Sequence, residues 1–292
     1  MTVSSPQTIT DDLRRWIADQ LDAGCQADDV VAAMCASGWQ AGVARDALAA
    51  TLKRRQAEPA GVAAVAELPA RPAAKALPEP TLDGAPTLLR AQGHALRLQM
   101  AMHQPRVIVF AGLLSDEECD RLVALARPRL ARSETVDNST GGSEVNAART
   151  SSGMFFERGE TALIDRIEQR IAALLNWPLD HGEGLQVLHY LPGAEYRQHH
   201  DYFDPQHPGS ATILRRGGQR VATLVMYLNT PQGGGATTFP DVGLEVAPVK
   251  GSAVFFSYDR PDASTLTLHG GAPVLSGEKW VATKWLREGV FT

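Results

Sequence analysis

From Trp177 onward the chain is a succession of short β-rich runs broken by Gly and Pro: Leu185–Leu191, Arg220–Asn229, Ser252–Ser257, Thr265–His269 and Lys279–Arg287. Many short strands with turn signals between them build a sandwich or a barrel. Helical spacing precedes this stretch. Ser115-Asp116-Glu117-Glu118 carries a capping box, with Ser115 at the cap and Glu118 three residues on. Leu122, Leu125 and Ala126 follow at helical intervals. Thr161–Leu175 is a second amphipathic helix, apolar at Leu163, Ile164, Ile167, Ile171 and Leu174. Arg106–Phe110 is a short apolar strand. Helices first and a long β-run afterwards predict a mainly β fold with flanking helices, a jelly roll buttressed by helices on one side.

The first part of the chain has a different texture. Leu13, Ile17 and Leu21 share one helical face, and Gly24 can end that helix. Val30, Val31 and Met34 mark a second helix that stops near Ser37-Gly38. Ala44, Leu48 and Leu52 mark a third. Residues 1–56 are therefore expected to form a small helical module, ubiquitin-associated-like in its spacing. It serves either as a recruiting element for a protein partner or as a cap that merely packs or dimerises. Residues 57–86 are rich in Ala and Pro, including Pro59, Pro69, Pro72, Pro78, Pro80 and Pro86. Pro removes donors and disfavours helix, so this stretch reads as a semi-extended linker. Residues 87–292 then make the domain that carries the chemistry.

The 292 residues are 44% hydrophobic and 21% charged, enough apolar material for a sizeable core. A net charge of -5 without a basic block gives no reason to expect a nucleic-acid partner. Cys25, Cys35 and Cys119 form no CxxC pair and no disulfide framework, which fits a reducing compartment. The stretch Met1–Trp16 has no basic region followed by an apolar one, and no apolar run approaches bilayer-spanning length. The expectation is a cytoplasmic protein without a membrane association.

The chemistry concentrates in Tyr196-Arg197-Gln198-His199-His200-Asp201-Tyr202, Leu268-His269-Gly270-Gly271 and Gly277-Glu278-Lys279-Trp280. On extended backbone, side chains alternate, so His199 and Asp201 share a face and His200 points away. An HxD triplet by itself also describes an exposed polar turn, and a lone His on a strand also describes a satisfied core histidine. Together, two imidazoles and a carboxylate on one face of a divalent iron leave other positions open for a cosubstrate and O2. Along Lys279–Trp285 the odd positions Lys279, Val281, Thr283 and Trp285 point together, and Lys284 points the other way. Alternation does not say which face is inward, but the apolar company of Lys279 favours its face. A lysine there is costly unless it meets an anion.

These motifs resemble those of iron(II)- and 2-oxoglutarate-dependent dioxygenases of the prolyl 4-hydroxylase family, in the branch of plant, algal and small bacterial enzymes. The matching segments are Arg149–Phe155, Glu183–Tyr190, Glu195–Asp201, Gln219–Asn229, Gly234–Thr237 and His269–Trp285. They span roughly residues 100–290 and leave out the helical module and the linker. One departure is Ala236, where the family often has Glu between the Gly pair and the Thr.

The resemblance implies a double-stranded β-helix with His199, Asp201 and His269 as catalytic iron ligands. It implies Lys279, Tyr190 and Thr237 around the distal carboxylate of 2-oxoglutarate. It places Trp285, Tyr196, Glu183, Arg220, Arg149 and Ser151 near the peptide groove, although Tyr196 and Trp285 also read as core aromatics and Glu183–Arg220 as a surface ion pair. The implied activity is that of a procollagen-proline 4-dioxygenase-like enzyme. It would hydroxylate a prolyl residue of a peptide or protein with Fe(II), 2-oxoglutarate and O2, with ascorbate as a reductant, giving succinate and CO2. Two other readings remain open: the same chemistry on a free amino acid or small metabolite, and an interaction protein recruited through residues 1–56.

Overall fold

A computed structural model describes residues 9–22, 24–57, 76–133, 135–136, 143–144 and 149–292. The chain divides into two compact units, Met1–Ala74 and Lys75–Thr292.

In the first unit, helices α1 (Asp11–Asp22), α2 (Ala27–Ala36) and α3 (Ala41–Ala57) gather around Ile17, Val30, Met34, Ala44, Ala47 and Leu48. Gly24 and Gly38 adopt positive φ just past α1 and α2. There the amides of Cys25 and Trp39 donate back to Gln20 O and Met34 O, satisfying carbonyls the helix ends leave open. Leu52 departs from the expected core and is 37% exposed. The buried stripe of α3 runs through Ala44, Ala47, Leu48 and Thr51, and Leu52 lies one helical step beside it.

The second unit contains, in chain order, β1 (Leu88–Ala91), β2 (His94–Met102), β3 (Arg106–Ala111), α4 (Asp116–Ala126), β4 (Ala131–Arg132), β5 (Thr135–Val136), β6 (Ser143–Glu144), β7 (Ser152–Phe156) and α5 (Ala162–Leu174). Then follow β8 (Leu185–Tyr190), β9 (Tyr196–His199), α6 (Ser210–Ile213), β10 (Arg220–Tyr227), β11 (Gly233–Gly234), β12 (Thr237–Phe239) and β13 (Leu244–Val246). The last are β14 (Ala253–Ser257), β15 (His269–Gly271), β16 (Val274–Ser276) and β17 (Lys279–Arg287). A nine-stranded sheet runs β1-β2-β3-β14-β10-β17-β8-β7-β4, and a four-stranded sheet runs β13-β12-β15-β9.

Strand alternation sorts the core into two layers. Ile108, Phe110, Val187, Leu224, Phe255 and Ala282 face Leu122, Ile164, Ile167 and Ile171 of α4 and α5. Their neighbours Val107, Val109, Leu188, Val254, Phe256 and Val281 face Phe239, Val246 and Val274 on the side of the smaller sheet. This is the jelly roll buttressed by helices that the sequence predicts. The capping box forms as expected, Glu118 N donating to Ser115 Oγ and Ser115 N to Glu118 Oε2. Glu118 also receives both terminal nitrogens of Arg170, at 2.7 and 2.9 Å, which ties α4 to α5. Burial raises the Glu118 pKa, but Arg170, the Ser115 amide and Arg166 outweigh it and bring it to about 2.

Three expectations change. The run Thr265–His269 is not a strand. Asp262 caps a 3-10 turn over Ala263–Thr265 by accepting from Ser264 N, and Leu266 takes φ 56, so extended structure begins only at His269. The polar, Gly-containing stretch Asp137–Asn146 reads as a surface loop; it lies mostly outside the described residues, and within it Ser143–Glu144 pairs with Thr135–Val136. The linker also ends earlier than residue 86. Pro78 and Pro80 are buried, Glu79 pairs with Arg106, and Glu79 N donates to Leu175 O at 2.8 Å. Asn176 Nδ2 donates to Glu79 O and Thr81 Oγ1, and Leu82 packs on the helix-side core.

A chain starting at Thr87 is therefore expected to fold less stably than one starting at Lys75. Loss of this strap, at about 2 kcal/mol, should lower the melting temperature by roughly 4–8 °C. Equal melting of the two truncated proteins in a calorimeter would show that residues 76–86 contribute nothing.

Candidate active site

The smaller sheet supplies two imidazoles. β9 and β15 are antiparallel neighbours with His199 directly opposite His269, and their ring centroids lie 4.3 Å apart. Asp201 follows β9 after one intervening residue, so it returns to the face of His199. The ligating atoms of His199, Asp201 and His269 all lie within 4.8 Å of one another. His199 Nε2 is 3.5 Å from Asp201 Oδ1, and His269 Nε2 is 3.4 Å from Asp201 Oδ2. His200 instead stacks on Tyr202 and stays off this cavity wall.

Each ring is held from behind. His199 Nδ1 meets Arg197 O at 2.9 Å and His269 Nδ1 meets Thr267 O at 3.0 Å. A carbonyl only accepts, so both Nδ1 atoms carry the proton and both Nε2 lone pairs face the cavity. Burial, with His199 nearby, pulls His269 down to about 4, so it is neutral at pH 7. Burial would raise Asp201, but His269, His199 and Arg220 hold it well below the usual carboxylate range. Two imidazole nitrogens and one carboxylate on one side of a gap fit a divalent iron with open positions.

The larger sheet supplies the opposite wall. Lys279 on β17 pairs across with Tyr190 on β8, and its Nζ lies 5.3 Å from the Tyr190 ring centroid. Lys279 is 3% exposed and has no hydrogen-bonding or ion-pair partner among the described residues. Burial alone lowers its pKa to about 8. Gly235, at φ +74, makes room for it, since a Cβ there would stand 3.0 Å from Lys279 Cδ. Tyr227 donates its hydroxyl proton to Thr237 Oγ1 at 2.7 Å, which leaves Thr237's own proton free for an acceptor. Lys279, Tyr190 and Thr237 line the same cavity as the His-Asp-His cluster. A dicarboxylate chelating a metal at one end fits the buried ammonium at the other.

Lys284 faces the opposite layer, as alternation requires. That layer is helix and not solvent, and Lys284 is buried against Glu168 and the Glu183 carbonyl.

The residues expected near a peptide groove separate into two sets. Tyr196, Trp285 and Arg149 line the cavity. Tyr196 stacks on His199 with centroids 3.8 Å apart, and the Arg149 guanidinium lies over the Tyr196 ring. Ser151, Glu183 and Arg220 are not on the wall. Ser151 is buried and its Oγ donates to Ser133 Oγ at 3.0 Å. Glu183 is not part of a surface pair. It is buried between Arg220 (2.6 and 2.9 Å) and Arg287 (2.7 Å), so its oxygens are already committed. Arg220 lies 4.0 Å over the Trp285 ring and 4.0 Å from Asp201 Oδ1, behind the cavity wall.

Sequence reasoning missed Thr223, which donates to Asp201 Oδ2 from β10, and Tyr258, which lies against Thr223 just past β14. The only signal was a Thr between Ala222 and Leu224 in β10.

Residues 185–287 match the family model described as 2OG-Fe(II) oxygenase superfamily. The chain is 42% identical over 209 residues to the probable prolyl 4-hydroxylase 3 of Arabidopsis thaliana, covering 64% of this chain and 71% of that protein. It is 45% identical over 201 residues to prolyl 4-hydroxylase 1 of the same plant, covering 63% and 69%. Among solved structures, a viral collagen prolyl hydroxylase from Paramecium Bursaria Chlorella virus-1, in a 2OG complex, is similar at a TM-score of 0.47 and 33% identity. That match covers 62% of this chain and 95% of that one.

Proposed function

This chain belongs to the prolyl 4-hydroxylase family of 2OG-Fe(II) oxygenases, and from that premise we propose that it hydroxylates a prolyl residue in a peptide or protein. The reaction is coupled to oxidative decarboxylation of 2-oxoglutarate to succinate and CO2. The observation that carries the reading is the buried Lys279 on the cavity of His199, Asp201 and His269, with no anion beside it among the described residues. The similarity to prolyl 4-hydroxylases supports a prolyl target over a free amino acid or small metabolite.

His199, Asp201 and His269 would hold the iron, which when loaded with 2-oxoglutarate activates O2 for insertion into a C–H bond. The chain's own residues do the rest. Lys279, Tyr190 and Thr237 orient the distal carboxylate. Tyr196, Arg149 and Trp285 present the target residue, with Arg220 supporting Trp285 from behind. The apolar side chains Leu188, Val225 and Val281 keep the wall between them dry. Ascorbate as reductant, a reducing cytoplasmic setting for the three free cysteines, and recruitment of a protein partner by residues 1–56 complete the proposal. No helix among the described residues is long and apolar enough to cross a membrane.

The test loads the protein anaerobically with Fe(II) and 2-oxoglutarate and admits O2 with proline-rich peptides or with free proline. Succinate release together with oxygen added to a peptide prolyl residue is expected. Hydroxylation of the free amino acid alone would sink the peptide reading.

The Lys279 ammonium also gives a pH signature. Its free-state pKa of about 8 lies below the ordinary 10.5, so the charged form is the penalised one. Stability therefore rises as pH climbs from about 8 towards 10.5, where only the unfolded chain still holds the proton. Binding of the distal carboxylate requires that proton, so affinity for 2-oxoglutarate should fall roughly tenfold per unit above pH 8. The monocarboxylate 2-oxopentanoate keeps the chelating end and lacks the distal one, so it should not show the step. Lys279→Ala should weaken 2-oxoglutarate binding by about 2 kcal/mol or more and remove the step. Identical pH profiles for the two acids would place the carboxylate elsewhere.

A further inference from the structure

Each of the three clustered side chains is held by a hydrogen bond to a neighbouring group, and these anchors differ in origin. His199 and His269 both use the carbonyl two residues upstream, Arg197 O and Thr267 O, so their orientation is local to the strand. Asp201 has no such local support. Its Oδ2 accepts from Thr223 Oγ1 at 2.7 Å, and Thr223 Oγ1 lies 3.0 Å from the Tyr258 hydroxyl. Thr223 sits on β10 and Tyr258 just past β14, and the Tyr258 amide is tied to Val221 O at 2.9 Å. Thr223 is 0% exposed and Tyr258 is 2% exposed, so water does not compete for these bonds.

The direction of the chain follows from proton counting. An ionised carboxylate only accepts, so Thr223 spends its single proton on Asp201. Its lone pair must then accept from Tyr258. The sequence is Tyr258 O–H to Thr223 O–H to Asp201. The Cβ–Cγ torsion of an aspartate is soft and broad, so without this bond the plane would be restrained from behind only by the looser approach of Arg220, 4.0 Å from Oδ1.

We propose that Thr223 is a positioning residue, itself oriented by Tyr258, which fixes the plane of the Asp201 carboxylate beside the two histidine Nε2 atoms. The inference rests on the reading of His199, Asp201 and His269 as iron ligands.

The experiment titrates the full-length protein anaerobically with Fe(II), and separately with Mn(II), and follows binding and not turnover. The melting temperature of each metal-free variant is recorded alongside. Thr223→Val keeps the shape and removes the proton, and metal affinity should fall roughly 10–100-fold, the usual cost of losing a group that orients a ligand. Thr223→Ser should restore affinity to near wild type. Tyr258→Phe should cause a smaller loss. In a serial chain, adding Tyr258→Phe to Thr223→Val should cost no further affinity.

Wild-type affinity in Thr223→Val, or no recovery in Thr223→Ser, would overturn the positioning role, including where melting temperature alone has dropped. If Thr223→Val does not fold, unchanged affinity in Tyr258→Phe overturns the relay. A wild-type chain that binds neither metal overturns the ligand assignment beneath the inference, which separates that failure from this one.

Discussion

Replacing His199, Asp201 or His269 by Ala should reduce oxygen-dependent succinate release to background in each case, while the metal-free proteins still unfold cooperatively. The expectation follows from what these groups do in the fold. Their ligating atoms face a cavity between the two sheets and do not fill the core packed against α4 and α5. Metal should stabilise the wild type by mass action, about 2.7 kcal/mol at a hundredfold excess over the dissociation constant. That increment should vanish in all three variants. His200→Ala is the control. Its ring stacks on Tyr202 away from the cavity, so both turnover and the metal-dependent stabilisation should persist. An inactive His200→Ala beside an active His199→Ala would mean that the face assignment at β9 is reversed.

That assignment is legible in the sequence because it needs only a period of two. His199 and Asp201 share a face on extended backbone, and Lys279, Val281, Thr283 and Trp285 share another. Alternation also separated Lys279 from Lys284, although not what lies under each. The layer beneath Lys284 is α5, and its partner Glu168 is 116 residues away in sequence. The same limit explains Thr223 and Tyr258. Their approach to Asp201 depends on how β10 registers with β14, Thr223 opposite Phe256, and on a bend after β9. No local pattern encodes such a register. Ser151 and Glu183 meet the same limit. Residue type and motif do not reveal that Ser151 donates to Ser133 or that Glu183 is shared between Arg220 and Arg287. The packing of residues 76–86 is not legible because Pro-rich composition argues against helix and sheet but says nothing about burial, and Pro78 and Pro80 pack without needing donors.

Glu183→Ala should destabilise the catalytic unit by about 3–5 kcal/mol, the scale for removing one partner of a buried ionic cluster. Glu183 is 7% exposed, with Arg220 on one side and Arg287 on the other. Burial alone would raise its carboxyl pKa, but the two guanidiniums overcome this and the net shift is downward. A carboxylate with a lowered folded pKa contributes stability that is present above its ordinary value, 4.5, and lost as pH falls through the folded one. The wild type should therefore lose this contribution on acidification, and Glu183→Ala should lack that part of the acid sensitivity. Removing the carboxylate leaves two buried cations without their shared anion, and Arg220 is then no longer held over Trp285. Peptide hydroxylation should decline along with stability, and the loss should show in the peptide KM through Trp285 as well as in metal affinity, because Arg220 also stands 4.0 Å from Asp201 Oδ1. Glu183→Gln, which keeps an acceptor and the volume, should be milder in both respects. Urea unfolding at pH 7 decides the matter. A loss below about 1 kcal/mol would show the cluster to be solvated in the way of an exposed pair, and Arg220 would then be positioned by Asp201 and by its ring contacts with Trp285 and Phe203.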